Sequence, residues 1–427
     1  MTTHVLKDRA RQKLPYIQYS HRSIHPETKK MVASWPELLG SGDWKHLLTP
    51  LDLDLRKLII RCGDFCQATY DSFNNDENSK YCGSCRYSKA HLFDKVMLID
   101  AAFYEVAAYL YSTATVSDAE EFLFRSKSRE AWDRESNWFG YIAVTTDEHS
   151  QSIGRREIYV VFRGTTRNYE WISVLGAKHE SVSPLLASDS NAGGNDDDDD
   201  AHVMLGWFSI YTSDDPESPY THLSLRKQLL GKIEELRQKY KGEELSIIFC
   251  GHSLGATIAV LASFDLVENG VRDIPVSAFL FGCPGVGNQE FNKRYYSYPN
   301  LKALHVKNVI DLIPRYPGRL LGYKRTGIEL EIDTRKSPYL KDSKTIGDWH
   351  NLQAMLHVVA GWNGQDEEFE FKVKRSVALV NKSCEFLKDE LLVPGSWWVD
   401  KNKGLVRDDD GEWVAASPDD DDLPTPE

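Results

Sequence analysis

A chain of 427 residues, 41% hydrophobic and 11% aromatic, can bury a sizeable core in one large domain or two smaller ones, which excludes a disordered chain. Lys and Arg total 51 against 64 Asp and Glu; the net charge of −13 excludes a nucleic-acid partner and disfavours anionic bilayers except through a local basic patch. The amino terminus lacks the apolar core of a secretory signal and carries an early Asp8, and no run of 18 apolar residues occurs. No transmembrane segment is therefore expected, and the expected location is cytoplasmic.

Residues 1–50 mix helical and coil signals, with Trp35, Leu38, Leu39 and Trp44 as docking residues. A helix is predicted from near Leu55 to Tyr70. Leu55, Ile59, Cys62 and Cys66 fall at i, i+4, i+7 and i+11, one face on which free Cys acts as a small buried hydrophobe. Cys82-x-x-Cys85 has zinc-ligand spacing, but the helical reading of Cys62 and Cys66 removes the other ligand pair, so no metal is expected. Val96 to Thr113 reads as a helix, or as a strand leading into one.

Beyond this point short β-branched runs alternate with helical stretches. Ile158–Phe162, Leu245–Cys250, Val276–Phe281 and Leu301–Val306 read as strands, Leu225–Tyr240 and Ala256–Val267 as helices. Such alternation predicts an α/β protein with a mostly parallel sheet covered on both faces. Ser190–Asn195 and Asp196–Asp200 are too polar to pack and read as a loop. Five aspartates offer oxygen ligands for calcium, yet a homopolymeric run lacks a defined turn, so a solvated loop is expected. Further on, Phe369, Phe371 and Val373 alternate as on a strand and Val377–Leu391 as an amphipathic helix. Trp397 and Trp398 suit either a lipid boundary or the core, with at least one expected in the core. An acidic, disordered tail is expected to close the chain.

Chemistry is concentrated at Gly251-His252-Ser253-Leu254-Gly255, which follows a buried strand and opens into an Ala-rich helix. That context holds a serine in a strained turn with its hydroxyl projecting, and the helix N-terminus directs N–H groups at developing negative charge. The flanking glycines keep side chains out of a tight crossing. A serine nucleophile needs an orienting acid and a base, expected in the order Ser, Asp, His on later loops. Asp311, just past the strand ending at Val306, fits the acid. His350 and His357 both compete for the base; His350 lies at a helix start, and His357 sits deeper in an apolar stretch, where core histidines are commoner. His252 and His305 read as structural. The N–H of Leu254 supplies one oxyanion donor, and Thr165 in Arg163-Gly164-Thr165-Thr166 a second.

Together these segments resemble the class 3, fungal-type lipase family: Phe162-Arg-Gly-Thr165, Gly251-His-Ser-Leu-Gly255, and Gly282-Cys-Pro-Gly-Val-Gly-Asn288 with Phe291. More closely, the chain resembles the plant class II phospholipase A1 enzymes. The shared stretches are Gln67-Ala-Thr-Tyr-Asp71, Tyr81-Cys-Gly-Ser-Cys85, Glu170-Trp171, His350-Asn-Leu through His357-Val-Val-Ala-Gly361, Lys374-Arg-Ser-Val-Ala-Leu-Val-Asn381 and Pro394-Gly-Ser-Trp-Trp398, over roughly residues 30–415. The resemblance implies an α/β-hydrolase fold, a Ser253–Asp311–His350 triad and an oxyanion hole of Thr165 and Leu254. It implies no metal and no cofactor. The expected substrate is a lipid at a membrane or micelle surface: glycerolipid esters, cleaved at sn-1 of phospholipids or in mono- and diacylglycerols. Acyl transfer at the same site and an idle lipid-binding protein are the alternatives. The expected plan is an extension over 1–50, a hydrolase domain over 51–415 with lid and acidic loop about 167–205, and a tail over 416–427. The segment after Trp171 departs from the family by lacking an acidic residue. Oligomeric state is not legible.

Overall fold

Seven strands form the centre of this computed structural model. It describes residues 33–115, 136–166, 177–186, 201–218, 220–398, 405–407 and 413–415, with isolated positions between 123 and 131. The five-aspartate run, Glu170-Trp171, most of the expected lid and the acidic tail lie outside the described residues. The chain divides into two compact units, Met1–Ser34 and Trp35–Glu427, and the second holds every element named below.

In chain order the strands are β1 (Tyr104–Ser112), β2 (Asn137–Thr145), β3 (Arg156–Phe162), β4 (His179–Ser181), β5 (His202–Met204), β6 (Leu245–His252), β7 (Val276–Phe281), β8 (Leu301–Asn308), β9 (Ile328–Ile332), β10 (Leu405–Arg407) and β11 (Trp413–Ala415). The main sheet runs β1-β2-β3-β6-β7-β8-β9. Its first two pairings are antiparallel and the rest parallel. The major helices are α1 (Leu53–Ser72), α2 (Leu205–Thr212), α3 (Leu225–Lys239), α4 (Leu254–Glu268), α5 (Gln289–Ser297) and α6 (Leu352–Gly361).

Both faces of the parallel strands are covered, which is why their sequences read as continuous apolar runs. Ile158, Val160, Ile247, Phe249, Ala278 and Leu280 face Trp207 of α2, Leu229 and Ile233 of α3 and Ile258 and Leu261 of α4. Successive residues point the other way: Tyr159, Val161, Ile248, Cys250 and Phe279 meet Ile59 and Cys62 of α1 and Met355 and Val359 of α6. A parallel, doubly covered sheet whose central strand turns sharply into a helix at Gly251–Gly255 is the α/β-hydrolase arrangement.

Three sequence expectations change. Of the two readings of Val96–Thr113 the strand holds and the helix does not: a single 3-10 turn at Ala101–Phe103 leads into β1, whose Tyr and Val residues find a ladder partner in β2, a strand the sequence reading did not anticipate. Phe369–Val373 forms no strand. Its N–H groups instead close the end of α6, Glu370 N to Gly361 O at 3.1 Å and Lys372 N to Ala360 O at 2.9 Å, while Phe369 stacks on His357. Val377–Leu391 is not one helix but two 3-10 turns, Val377–Lys382 and Asp389–Leu391. Asn381 breaks it, since its Oδ1 accepts from Phe386 N and Leu387 N in place of helical carbonyls. This segment is pinned to α1 by Arg375–Asp64 at 2.7 Å and Lys382–Asp71 at 2.5 Å. The Trp397 and Trp398 indoles are half-buried and donate inward, to Ala378 O and Asp71 O.

All seven cysteines are free thiols, and Cys62, Cys66, Cys82 and Cys85 are buried. Among the described residues no cluster of His, Cys, Asp and Glu could hold a metal ion, and no helix is long and apolar enough to cross a membrane. Trp44 packs edge-on to Phe279 of β7 at 6.1 Å and donates to Leu38 O, so this buried indole, with Leu39, anchors residues 35–50 to the domain core. Trp44→Ala should therefore lower unfolding free energy by about 3–5 kcal/mol in urea titrations; a change below ~1 kcal/mol would show this stretch to be dispensable.

Candidate active site

Strand β6 ends on His252 and α4 begins on Leu254, so Ser253 alone makes the turn. Its backbone sits at φ 58°, ψ −126°, a region that L-residues rarely occupy and that persists only when the surroundings enforce it. Missing side chains make this possible. A Cβ on Gly251 would strike the carbonyl of Gly255, and one on Gly255 would strike Phe162 O at the end of β3. Ser253 N donates to Phe281 O at 2.9 Å, locking the turn to β7. The hydroxyl Oγ is buried and has no hydrogen-bond partner among the described residues.

Asp311 lies just past β8 in the turn opened by Asn308, which accepts from Asp311 N at 3.0 Å. Its Oδ1 accepts from Ile313 N at 2.9 Å, which aims Oδ2 at His350 Nδ1, 2.5 Å away, with both side chains fully buried. A carboxylate can only accept, so Nδ1 carries a proton and Nε2 is the ring nitrogen left pointing away from the acid. His350 caps the short helix Ile346–Trp349 and precedes Asn351, the N-cap of α6, whose Oδ1 accepts from Ala354 N. Asn308 Nδ2 donates to Trp349 O at 2.8 Å, tying that corner to β8.

Two further groups hold this histidine in place. His252 Nε2 donates to His350 O at 2.9 Å, while Tyr70 of α1 donates its hydroxyl to His252 Nδ1 at 2.7 Å. Burial drives the His252 pKa far below the ordinary histidine range, so it is a neutral strut. Gly282, at φ +56°, is the floor: a Cβ there would lie 2.6 Å from His350 Cε1 and 3.3 Å from Asp311 Oδ2.

The turn after β3 supplies the opposite wall. Thr165 is buried there, and Leu254 N, at the first position of α4, has no acceptor within its own helix. Gly164 lets this turn approach: a Cβ would meet Tyr70 Oη and, at 2.6 Å, His252 O. Arg163 is wholly buried over the Phe73 ring, 3.7 Å from its centroid, and donates to Gly164 O at 2.9 Å; burial lowers its pKa to about 10. Thr166 Oγ1 is buried without a partner among the described residues and adds a hydroxyl beside Thr165. A cavity of about 480 Å³ opens here, lined by Tyr70, Arg86, Thr165, His350 and Trp398 among others.

The structure thus brings Asp311 and His350 together, and sets Ser253 and Thr165 on the turns packed against them. His357 is elsewhere: its Nε2 contacts Ser337 Oγ at 2.7 Å and its ring stacks on Phe369. His305 Nε2 accepts from Cys283 N. Sequence reasoning missed the supporting roles of Arg163, Tyr70, Gly282 and Asn308, although the first three lie in quoted family segments.

This architecture and site define a serine ester hydrolase of the α/β-hydrolase class. The class 3 lipase model matches residues 159–321. Phospholipase A1-IIdelta of Arabidopsis thaliana is 61% identical over 406 residues, covering 92% of this chain and 98% of that one. Phospholipase A1-II 5 of Oryza sativa subsp. indica is 50% identical, covering 92% and 84%. A solved triacylglycerol lipase from Penicillium expansum aligns at 14% identity and TM-score 0.41 over 66% of this chain and 81% of that one, too slight a likeness to argue from. The chain belongs to the class 3 lipases, in the phospholipase A1-II family.

Gly282→Ala should fold yet lose about 10²-fold in kcat, because the Asp311–His350 pair must move off its floor; unchanged turnover with an intact circular dichroism spectrum would refute that role. Burial also lowers the pKa of His305 and His357 to about 3. Unfolded, both titrate near 6.5, so below that pH the unfolded chain binds more protons. Stability should be full above about pH 6.5 and fall toward pH 3, by about 2 kcal/mol per histidine at pH 5. Urea titrations at pH 7 and 5, with a smaller drop in His357→Gln, check the sign.

Proposed function

We propose that the chain is a phospholipase A1 that removes the sn-1 acyl group of glycerophospholipids through a Ser253 acyl-enzyme. The observation that carries this is the buried Ser253 hydroxyl, without a hydrogen-bond partner among the described residues, on a strained turn whose neighbour, Gly282, is the floor of the Asp311–His350 pair. Substrate class is supported by the near-full-length likeness to proteins named phospholipase A1-II.

In this reading His350 Nε2 takes the Ser253 proton as Oγ attacks the acyl carbonyl carbon, and Asp311 stabilises the imidazolium. Leu254 N–H and Thr165 donate to the oxyanion. The tetrahedral species collapses, the acyl–oxygen bond breaks, and His350 protonates the departing lysolipid alkoxide. Water, deprotonated by His350, then releases the fatty acid and restores Ser253. Seven free thiols support a reducing compartment, hence a cytosolic location. The hydrolase domain is assigned to 51–415, with 1–50 as an extension whose Leu39 and Trp44 pack into its core and 416–427 as tail.

Ser253→Ala should lose at least about 10⁴-fold in kcat on a short-chain p-nitrophenyl ester and all labelling by a fluorophosphonate, with stability retained. Phosphatidylcholine with distinguishable acyl chains should yield the 2-acyl lysolipid. Equal hydrolysis by Ser253→Ala would sink the mechanism, and release of the sn-2 chain the positional assignment.

A further inference from the structure

Between Asp311 and Glu329 the chain carries four cations, Arg315, Arg319, Lys324 and Arg325, and no carboxylate, in a protein of net charge −13. The same stretch holds three of the exposed large apolar side chains of the molecule: Leu312 at 40%, Leu321 at 50% and Leu320 fully exposed. Leu320 and Leu321 occupy a single 3-10 turn, Arg319–Leu321, that projects beyond the ends of β7 and β8. This is the sheet edge that carries Ser253, Gly282 and Asp311.

The projection is braced from behind. Tyr316 O accepts from Gly285 N at 2.9 Å, and Lys324 N donates to Gly287 O at 2.8 Å. His179 Nε2 donates to Leu321 O at 2.9 Å and stacks on the buried Tyr323 ring, 4.4 Å away. A backbone fixed this firmly, with leucines turned outward, is not a frayed loop. Arg315 and Arg319 are exposed at its flanks, and so is Lys178 beside His179. Arg325 is paired with Glu329 and adds little net charge.

We infer that the Leu320–Leu321 turn, with Arg315 and Arg319, is a membrane-docking tip that seats the active-site rim on an anionic lipid surface. Apolar side chains gain by leaving water for the acyl boundary, and flanking cations are attracted by anionic headgroups. The chain's remaining negative charge argues for this one face as the contact. The assignment deepens the phospholipase reading, but the binding measurement does not depend on it.

The test uses the full chain in a Ser253→Ala background, so vesicles are not consumed. Sedimentation with vesicles of phosphatidylcholine alone, and of phosphatidylcholine mixed with phosphatidylglycerol, reads partitioning. Leu320→Ser with Leu321→Ser should weaken binding to the mixed vesicles by roughly tenfold or more. Arg315→Gln with Arg319→Gln should lower binding to mixed vesicles by about fivefold per charge, leave neutral vesicles unaffected and flatten the salt dependence. With Ser253 restored, both variants should cleave a soluble short-chain ester at the parent rate, which separates docking from misfolding. Leu320→Ser alone, at a fully exposed position, serves if the double variant fails that control. Unchanged vesicle binding by a leucine variant that cleaves the soluble ester normally overturns the proposal, as would equal loss on both vesicle types in the arginine variant. A parent enzyme inert toward esters but binding mixed vesicles through the tip would refute the hydrolase reading alone.

Discussion

Everything around the site is arranged to hold one non-glycine residue at φ 58°. Ser253 cannot keep that backbone unless β6 and α4 cross almost in contact, and they can do so only where Cβ atoms are absent. Gly251 and Gly255 clear the crossing itself. Gly164 clears the approach of the β3 turn, and Gly282 clears the seat of the Asp311–His350 pair. Each of these four positions is filled by a neighbouring atom, so the Ser253 turn, the turn after β3 and the Asp311–His350 pair are packed through shared absences of side chain. Strain at the serine is offset by the two doubly covered faces of the sheet.

Two histidines 4.5 Å apart then do opposite work. His350 has a carboxylate at Nδ1, which fixes its tautomer and the direction of its ring. His252 faces a backbone carbonyl and a phenol, neither of which compensates for burial, so it stays neutral. Because the carbonyl it serves belongs to His350, and the phenol to α1, this ring conveys the packing of the α1–α6 face to the base. Residue type is the same; the partner at each nitrogen decides the role.

The sequence made the parallel core legible because strands buried on both faces are continuous apolar runs, and the nucleophile because its glycines bracket a serine at a strand–helix junction. It favoured His350 over His357 by position at a helix start and by family likeness, since the discriminating contacts are distant: Asp311 for one, Ser337 and Phe369 for the other. Irregular structure was least legible. The 369–391 stretch has strand and helix periodicity, yet its polar groups are taken by Asn381, Asp64 and Asp71 and by the open end of α6. Local pattern cannot register partners some 300 residues away. Nor could it single out Gly282 or Arg163, whose importance lies in what approaches them.

Net charge bears differently on the proposed docking face than on the molecule as a whole. A value of −13 speaks against an anionic surface only if the whole protein is felt at the contact, yet at physiological salt the screening length is about 8 Å. A few exposed cations within that distance of the interface outweigh carboxylates on the far side of a domain several times wider. In the proposed docking, those cations and two outward leucines follow Asp311 directly, so a single short stretch of chain would carry both the lipid contact and the proposed triad acid. On that proposal the net negative charge carried outside this stretch disfavours approach of an anionic bilayer to the rest of the molecule and leaves the tip as the favoured contact.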